Sequence, residues 1–155
     1  MACPACARLE RIARGADPEF VATLSECQVV LADEQLYRGY CILFLRDHAE
    51  HLADLPFDRQ QRVWDDVARV AAAVRKTVDP VRLNYACLGN LTTHVHWHVI
   101  PRHADDPEPL RRALANPAAL DDDLAHNREV VRRWFSLGRL RDTLADLLAR
   151  AGWMP

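Results

Sequence analysis

The chain has 155 residues, half of them hydrophobic, with 20 Lys and Arg against 22 Asp and Glu. That length suits one domain whose core needs no disulfide framework, and a net charge of −2 excludes bulk electrostatic binding to nucleic acid or an anionic membrane, while a local phosphate pocket stays allowed. No cationic start followed by an apolar core opens the chain, and no apolar run approaches the roughly 20 residues of a membrane span, so a cytoplasmic protein is expected.

Cys3 and Cys6 stand in Cys-Pro-Ala-Cys, a spacing that suits two thiolates on one tetrahedral metal, a redox pair, or two ordinary thiols near a terminus. A helix-like segment around Ala5 to Arg14 is broken by Gly15 and Pro18, and residues 20 to 32 read as two short strands around Ser25 and Glu26. After a turn at Asp33 to Gly39, Tyr40 to Leu45 is a compact apolar run of buried-strand type, and Arg46, Asp47 and His48 mark its exit. Cys27 and Cys41 lie inside these runs and read as small core residues. The period then changes. From Asp58, placed as an N-cap, Val63, Val67, Val70 and Val74 form the stripe of an amphipathic helix that ends before Pro80, with Arg and Asp on its solvated face. Residues 82 to 88 read as a further strand closed by Gly89 and Asn90. A second strand-like run comes so soon after this Gly-containing turn that an antiparallel hairpin is expected.

That second run is His-Val-His-Trp-His-Val-Ile-Pro at 94 to 101, with three histidines at alternate positions and apolar residues between them. Strand periodicity puts His94, His96 and His98 on one face, and imidazole is the side chain best suited to attack phosphorus, carry protons or bind metal near neutral pH. After Pro101 the composition shifts to Ala, Leu, Arg and Asp. Pro107, Pro109 and Pro117 punctuate what read as three or four short helices, whose Trp134, Leu137, Leu140, Leu144 and Leu147 pack on the sheet or meet a partner subunit. The expected fold class is α+β with a mostly antiparallel sheet, residues 1–106 forming the catalytic domain and 107–155 a helical extension of it.

The pattern His-φ-His-φ-His-φ-φ at His94 to Ile100, φ being apolar, resembles the signature of the histidine-triad (HIT) family of nucleotide hydrolases and transferases. Asn84-Tyr-Ala-Cys-Leu-Gly-Asn90 and Pro101-Arg102 look like the flanks seen in bacterial members. Val30 to Asp33, Gly39 to Leu45, His48 and Leu52 to Leu55 resemble the family's strand, turn and strand leading to its long helix. The resemblance covers roughly residues 1 to 103. It implies an antiparallel sheet of about five strands, a homodimer paired through the long helix at Asp58 to Thr77 and the neighbouring apolar strand at Tyr40 to Leu45, and nucleotidyl transfer through histidine. His96 would attack the α-phosphorus to give a nucleotidyl-imidazole that water resolves. His98 would contact the phosphoryl or leaving-group oxygen, and Asn90, Thr92 and Thr93 sit where the family usually places a Gln or Ser donor to phosphate. Asp33 would meet ribose hydroxyls, and adenine is the base the family most often takes.

A zinc-bearing subset of the family holds a structural ion with an N-terminal Cys-x-x-Cys, a histidine after the third strand and the first triad histidine. Those positions fall on Cys3, Cys6, His48 and His94, with His51 competing for the place of His48. The leading reading is therefore a nucleotide phosphoanhydride or phosphoramidate hydrolase. Two others stand beside it: a metalloenzyme with catalytic zinc on His94, His96 and His98, and a nucleotide-binding partner protein with little turnover.

Overall fold

The computed structural model describes residues 3–33, 35 and 37–106. The chain divides into two units, Met1–Asp106 and Pro107–Pro155, and every described residue belongs to the first. The expected C-terminal helices and their Trp134 and leucine faces lie outside the described residues.

The elements run α1 (Pro4–Ala13), β1 (Phe20–Thr23), β2 (Cys27–Leu31), β3 (Cys41–Leu45), a 3-10 turn (Leu52–Asp54), α2 (Phe57–Val78), β4 (Arg82–Ala86) and β5 (His96–Arg102). The five strands form one antiparallel sheet in the order β1-β2-β3-β5-β4, so the α+β class and the five-stranded sheet with a long helix are as expected. β3 lies inside the sheet between β2 and β5, so it has no free edge to offer a partner subunit. Only β1 and β4 do.

Strand alternation sorts the side chains into two layers. Cys27, Val29, Cys41, Leu43, Leu45, Trp97 and Val99 face α2 and pack with Val63, Val67, Val70 and Val74, the stripe read from the sequence. On the opposite face Val30 and Phe44 pack against Ala5, with Leu9, Ile12 and Ile42 beside them, so α1 covers the other side of the sheet. The register puts Phe44 across from His96 and Ile42 across from His98, which makes this second face the one that carries the histidines.

Three expectations change. α2 begins at Phe57 with Pro56 at the cap; Asp58 instead sits in the first turn, where Arg62 one turn on takes its carboxylate at 2.7 Å. Asp66 is buried rather than solvated, because its Oδ2 accepts the backbone N–H groups of Glu26 at 2.8 Å and Cys27 at 3.1 Å, tying α2 to the start of β2. The strand read over 82 to 88 stops at Ala86, and the histidine strand starts at His96, while Val95 bonds to the end of β3 and the chain beyond it (its carbonyl to Leu45 N–H, its N–H to Ala49 O). Gly39 closes the turn before β3 at φ 88°, and a Cβ there would meet both Val78 methyls at 3.0 Å. That position therefore needs glycine both for its backbone conformation and for its approach to the end of α2.

Candidate active and metal-binding site

His96 and His98 project from β5 on the face away from α2, rings 4.9 Å apart and edge to face. His94 keeps the alternation but not the exposure. It lies ahead of the strand, is fully buried, and gives its two nitrogens to different partners. Its Nε2 stands 2.8 Å from the Leu45 carbonyl. A carbonyl only accepts, so Nε2 carries the proton and the Nδ1 lone pair points the other way. There it meets His48 Nδ1 at 3.3 Å and the Cys3 and Cys6 sulfurs at 3.6 Å each, while Cys6 Sγ is 3.4 Å from His48 Nδ1. Burial, with His48 and His96 adding to it, holds the His94 ring below the ordinary imidazole range against the pull of the Leu45 carbonyl, which keeps it neutral.

Among the described residues, Cys3, Cys6, His48 and His94 are the one set whose donor atoms gather closely enough for a metal ion, all within 4.8 Å of one another. Local structure explains the gathering. Pro4 starts α1, so Cys3 and Cys6 flank its first turn, and the helix packs on Val30 and Phe44 with both thiols at the end of β3. His48 stands three residues beyond β3, where the chain turns back toward Val95. His51, the competitor for His48, is not in the set; it lines a cavity of about 400 Å³ with Glu50, Cys87, Asn90, Thr93 and His94.

The backbone of His94 serves its neighbour. His96 Nδ1 lies 2.6 Å from the His94 carbonyl, so by the same acceptor chemistry Nδ1 is protonated and Nε2 carries the free lone pair. Phe44 stacks on the His96 ring at 5.8 Å and 29°, which limits its rotation. The Arg8 guanidinium lies 6.0 Å from the Phe44 ring, and Arg8 is clamped by the buried carboxylate of Asp17 at 3.0 Å. Asp33 is exposed after β2 and pairs with Arg8 at 2.8 Å, so it reaches the histidine face through Arg8 and Phe44. Asn90 and Thr93 are exposed on the loop from β4 to β5, and Thr92 accepts the His94 N–H through its carbonyl.

Sequence reasoning missed Arg8, Tyr40 and Phe44. Phe44 was accessible in principle, since pairing the two apolar strands in antiparallel register places it beside His96. Arg8 and Tyr40 were not, since only the packing of α1 and the turn before β3 brings them to the histidines.

A HIT domain model matches residues 14–105, well over half of the chain and short of Cys3 and Cys6. No curated protein sequence matches the chain. Among solved structures, a histidine triad protein from Bradyrhizobium japonicum is 25% identical (TM-score 0.54, 63% of this chain and 71% of that one). A HIT family protein from Bacillus subtilis is 22% identical (TM-score 0.56, 77% and 96%). A zinc-bound histidine triad family protein from Mycobacterium smegmatis is 23% identical (TM-score 0.56, 68% and 78%). With the alternating histidines on β5, the two-layered packing around them and a family match across β1 to β5, the chain belongs to the HIT family.

Proposed function

We propose that the protein is a nucleotide phosphoanhydride or phosphoramidate hydrolase that works through a nucleotidyl-His96 intermediate. The observation that carries this reading is the contact of His96 Nδ1 with the His94 carbonyl, which requires a proton at Nδ1 and leaves Nε2 as the ring nitrogen available to attack. In the first step Nε2 bonds to the α-phosphorus as the bond to the leaving group breaks, its electron pair departing with the leaving oxygen or nitrogen. In the second, water attacks the same phosphorus, a proton passes to solvent, and His96 leaves as the neutral imidazole. His98 donates to the phosphoryl or leaving-group oxygen. Asn90, Thr92 and Thr93 are the candidate phosphate donors on the β4–β5 loop, Asp33 the candidate ribose contact, and adenine the first base to test. Catalytic metal on the three triad histidines is not supported, since the free nitrogen of His94, Nδ1, faces Cys3, Cys6 and His48.

The separate cluster suits structural zinc. A tetrahedral ion with nitrogen at about 2.0–2.1 Å and sulfur at about 2.3 Å sets donor separations of about 3.3–3.8 Å. Four of the six donor pairs among Cys3, Cys6, His48 and His94 stand 3.3 to 3.6 Å apart, in agreement with that, and all lie within 4.8 Å. The relative from Mycobacterium smegmatis is zinc-bound, which supports the choice of ion. Zinc there would pin α1 beside the triad by binding, outside the reaction path. A homodimer is part of the same reading, built on the face shared by α2 and the β4 edge.

A turnover panel of dinucleoside polyphosphates, nucleoside phosphoramidates and nucleotide sugars, run on wild type and His96→Ala, tests the hydrolase reading. The variant should bind nucleotide with unchanged affinity and retain under about 1% of turnover. Binding without turnover in wild type would favour the partner-protein reading.

A further inference from the structure

The turn before β3 brings Tyr40 across to the histidine face, where its hydroxyl oxygen lies 2.5 Å from His98 Nδ1, rings 5.8 Å apart. Tyr40 is held there edge to face by Tyr37 at 6.5 Å, and Tyr37 lies 5.1 Å beneath the Arg102 guanidinium. From these contacts we infer that Tyr40 is a positioning residue for His98: its hydroxyl donates into Nδ1 and fixes the tautomer whose Nε2–H is free to hydrogen-bond substrate. The direction of the hydrogen bond comes from chemistry. A phenol is a good donor and a poor acceptor, while a neutral imidazole nitrogen is among the best acceptors a protein has, so O–H to Nδ1 outcompetes the reverse. Burial, and secondarily Tyr37, hold the Tyr40 hydroxyl above its ordinary range, and burial with His96 holds His98 below its own, so both partners stay neutral.

The consequence is a pair of neighbouring histidines in opposite tautomers. His96 is protonated at Nδ1 by the demand of a carbonyl, and presents a lone pair; His98 is protonated at Nε2 by the demand of a phenol, and presents a donor. One can attack phosphorus while the other stabilises charge on oxygen, with no proton rearrangement needed at the moment of reaction. The catalytic use of that arrangement rests on the nucleotidyl-His96 reading; the tautomer assignment does not.

Ring-nitrogen NMR on histidine-labelled full-length protein decides the assignment. The expected spectrum shows His98 protonated at Nε2 alone and His96 at Nδ1 alone; His98 protonated at Nδ1 would overturn the inference. Tyr40→Phe keeps the ring packing and removes the donor. It should turn His98 into a mixture of tautomers with His96 unchanged, and lower kcat by about tenfold with KM moving less than about twofold. A variant with wild-type tautomers would overturn the inference. So would a mixed His98 that leaves kcat intact in an enzyme that does turn over. If wild type turns over nothing in the substrate panel, the hydrolase reading fails while the spectra still decide the role of Tyr40.

Discussion

At the scale of single residues, the five cysteines divide by environment in a way that thiol chemistry can read out. Cys27 is buried and its thiol is pushed up to about 12, first by burial and then by Asp66 and Glu26, while burial alone pushes Cys41 up. Cys87 is exposed on the β4–β5 loop, and Cys3 and Cys6 belong to the donor cluster with His48 and His94 that could hold a metal ion. Alkylation of the native, zinc-loaded protein at about pH 8 should therefore label Cys87 alone, chelation should add Cys3 and Cys6, and denaturant should be required for Cys27 and Cys41. Mass-resolved labelling checks this, and modification of Cys27 before unfolding would contradict the packing of β2. Asp66 offers a second test. Replacing it with Ala leaves the buried N–H groups of Glu26 and Cys27 without their acceptor, so Asp66→Ala should cost about 2–4 kcal/mol in denaturant unfolding, whereas an exposed helix aspartate would cost almost nothing.

At the scale of elements, the sequence was enough to place the five strands and two helices of the described residues, because the spacing of Val63, Val67, Val70 and Val74, the compact apolar run of β3 and the alternation in β5 are direct records of burial. Polar interruptions were less legible. Asp66 resembles any helix-surface aspartate until β2 is laid beside it, and His94 resembles its two neighbours until the Leu45 carbonyl and α1 divide its nitrogens between them. α1 is attached by its packing on Val30 and Phe44, and an ion on the Nδ1 side of His94 would add to that. Replacing Cys3 and Cys6 with Ser should remove about one zinc per chain and lower Tm, with turnover falling less than stability, because the cluster meets His96 indirectly, through the His94 backbone and the Phe44 ring. Zinc retained by the double variant would refute the cluster. Burial and the adjoining Cys3 thiol raise the Cys6 thiol, so loading zinc displaces a proton and affinity should weaken as pH falls. Two buried carboxylates set the acid limit of the fold. Burial pushes Asp17 and Glu26 up, but Arg8 outweighs it at Asp17, and Arg59 and Arg62 outweigh it at Glu26, so both titrate below their ordinary range. A carboxylate depressed in the folded state stabilises the fold above its unfolded value of about 4 and loses that contribution as pH falls through the folded value. Unfolding free energy should thus be flat in this respect above about pH 5 and decline below about pH 4.

At the scale of the whole molecule, the described unit leaves one face of α2 and the β4 edge exposed. Trp64, half exposed, packs against Trp97 with ring centroids 4.4 Å apart and planes tilted by 55°, and Trp97 Nε1 is buried with no hydrogen-bond partner among the described residues. Val81 just ahead of β4 and Tyr85 within it are exposed as well. The homodimer proposed above would cover this face, so sedimentation should give a dimer at micromolar concentration, and Trp64→Glu should shift it toward monomer. Edge pairing through β3 is ruled out by its interior position. All of these placements serve the claim that His96 attacks phosphorus, and that claim stands or falls on rapid-quench mass spectrometry during turnover of a nucleoside phosphoramidate. One nucleotidyl group per active chain is expected, acid-labile and mapped to the peptide bearing His96, formed and lost at rates compatible with turnover and absent from His96→Ala. Turnover with no adduct, or an adduct on any other residue, would contradict covalent catalysis by His96.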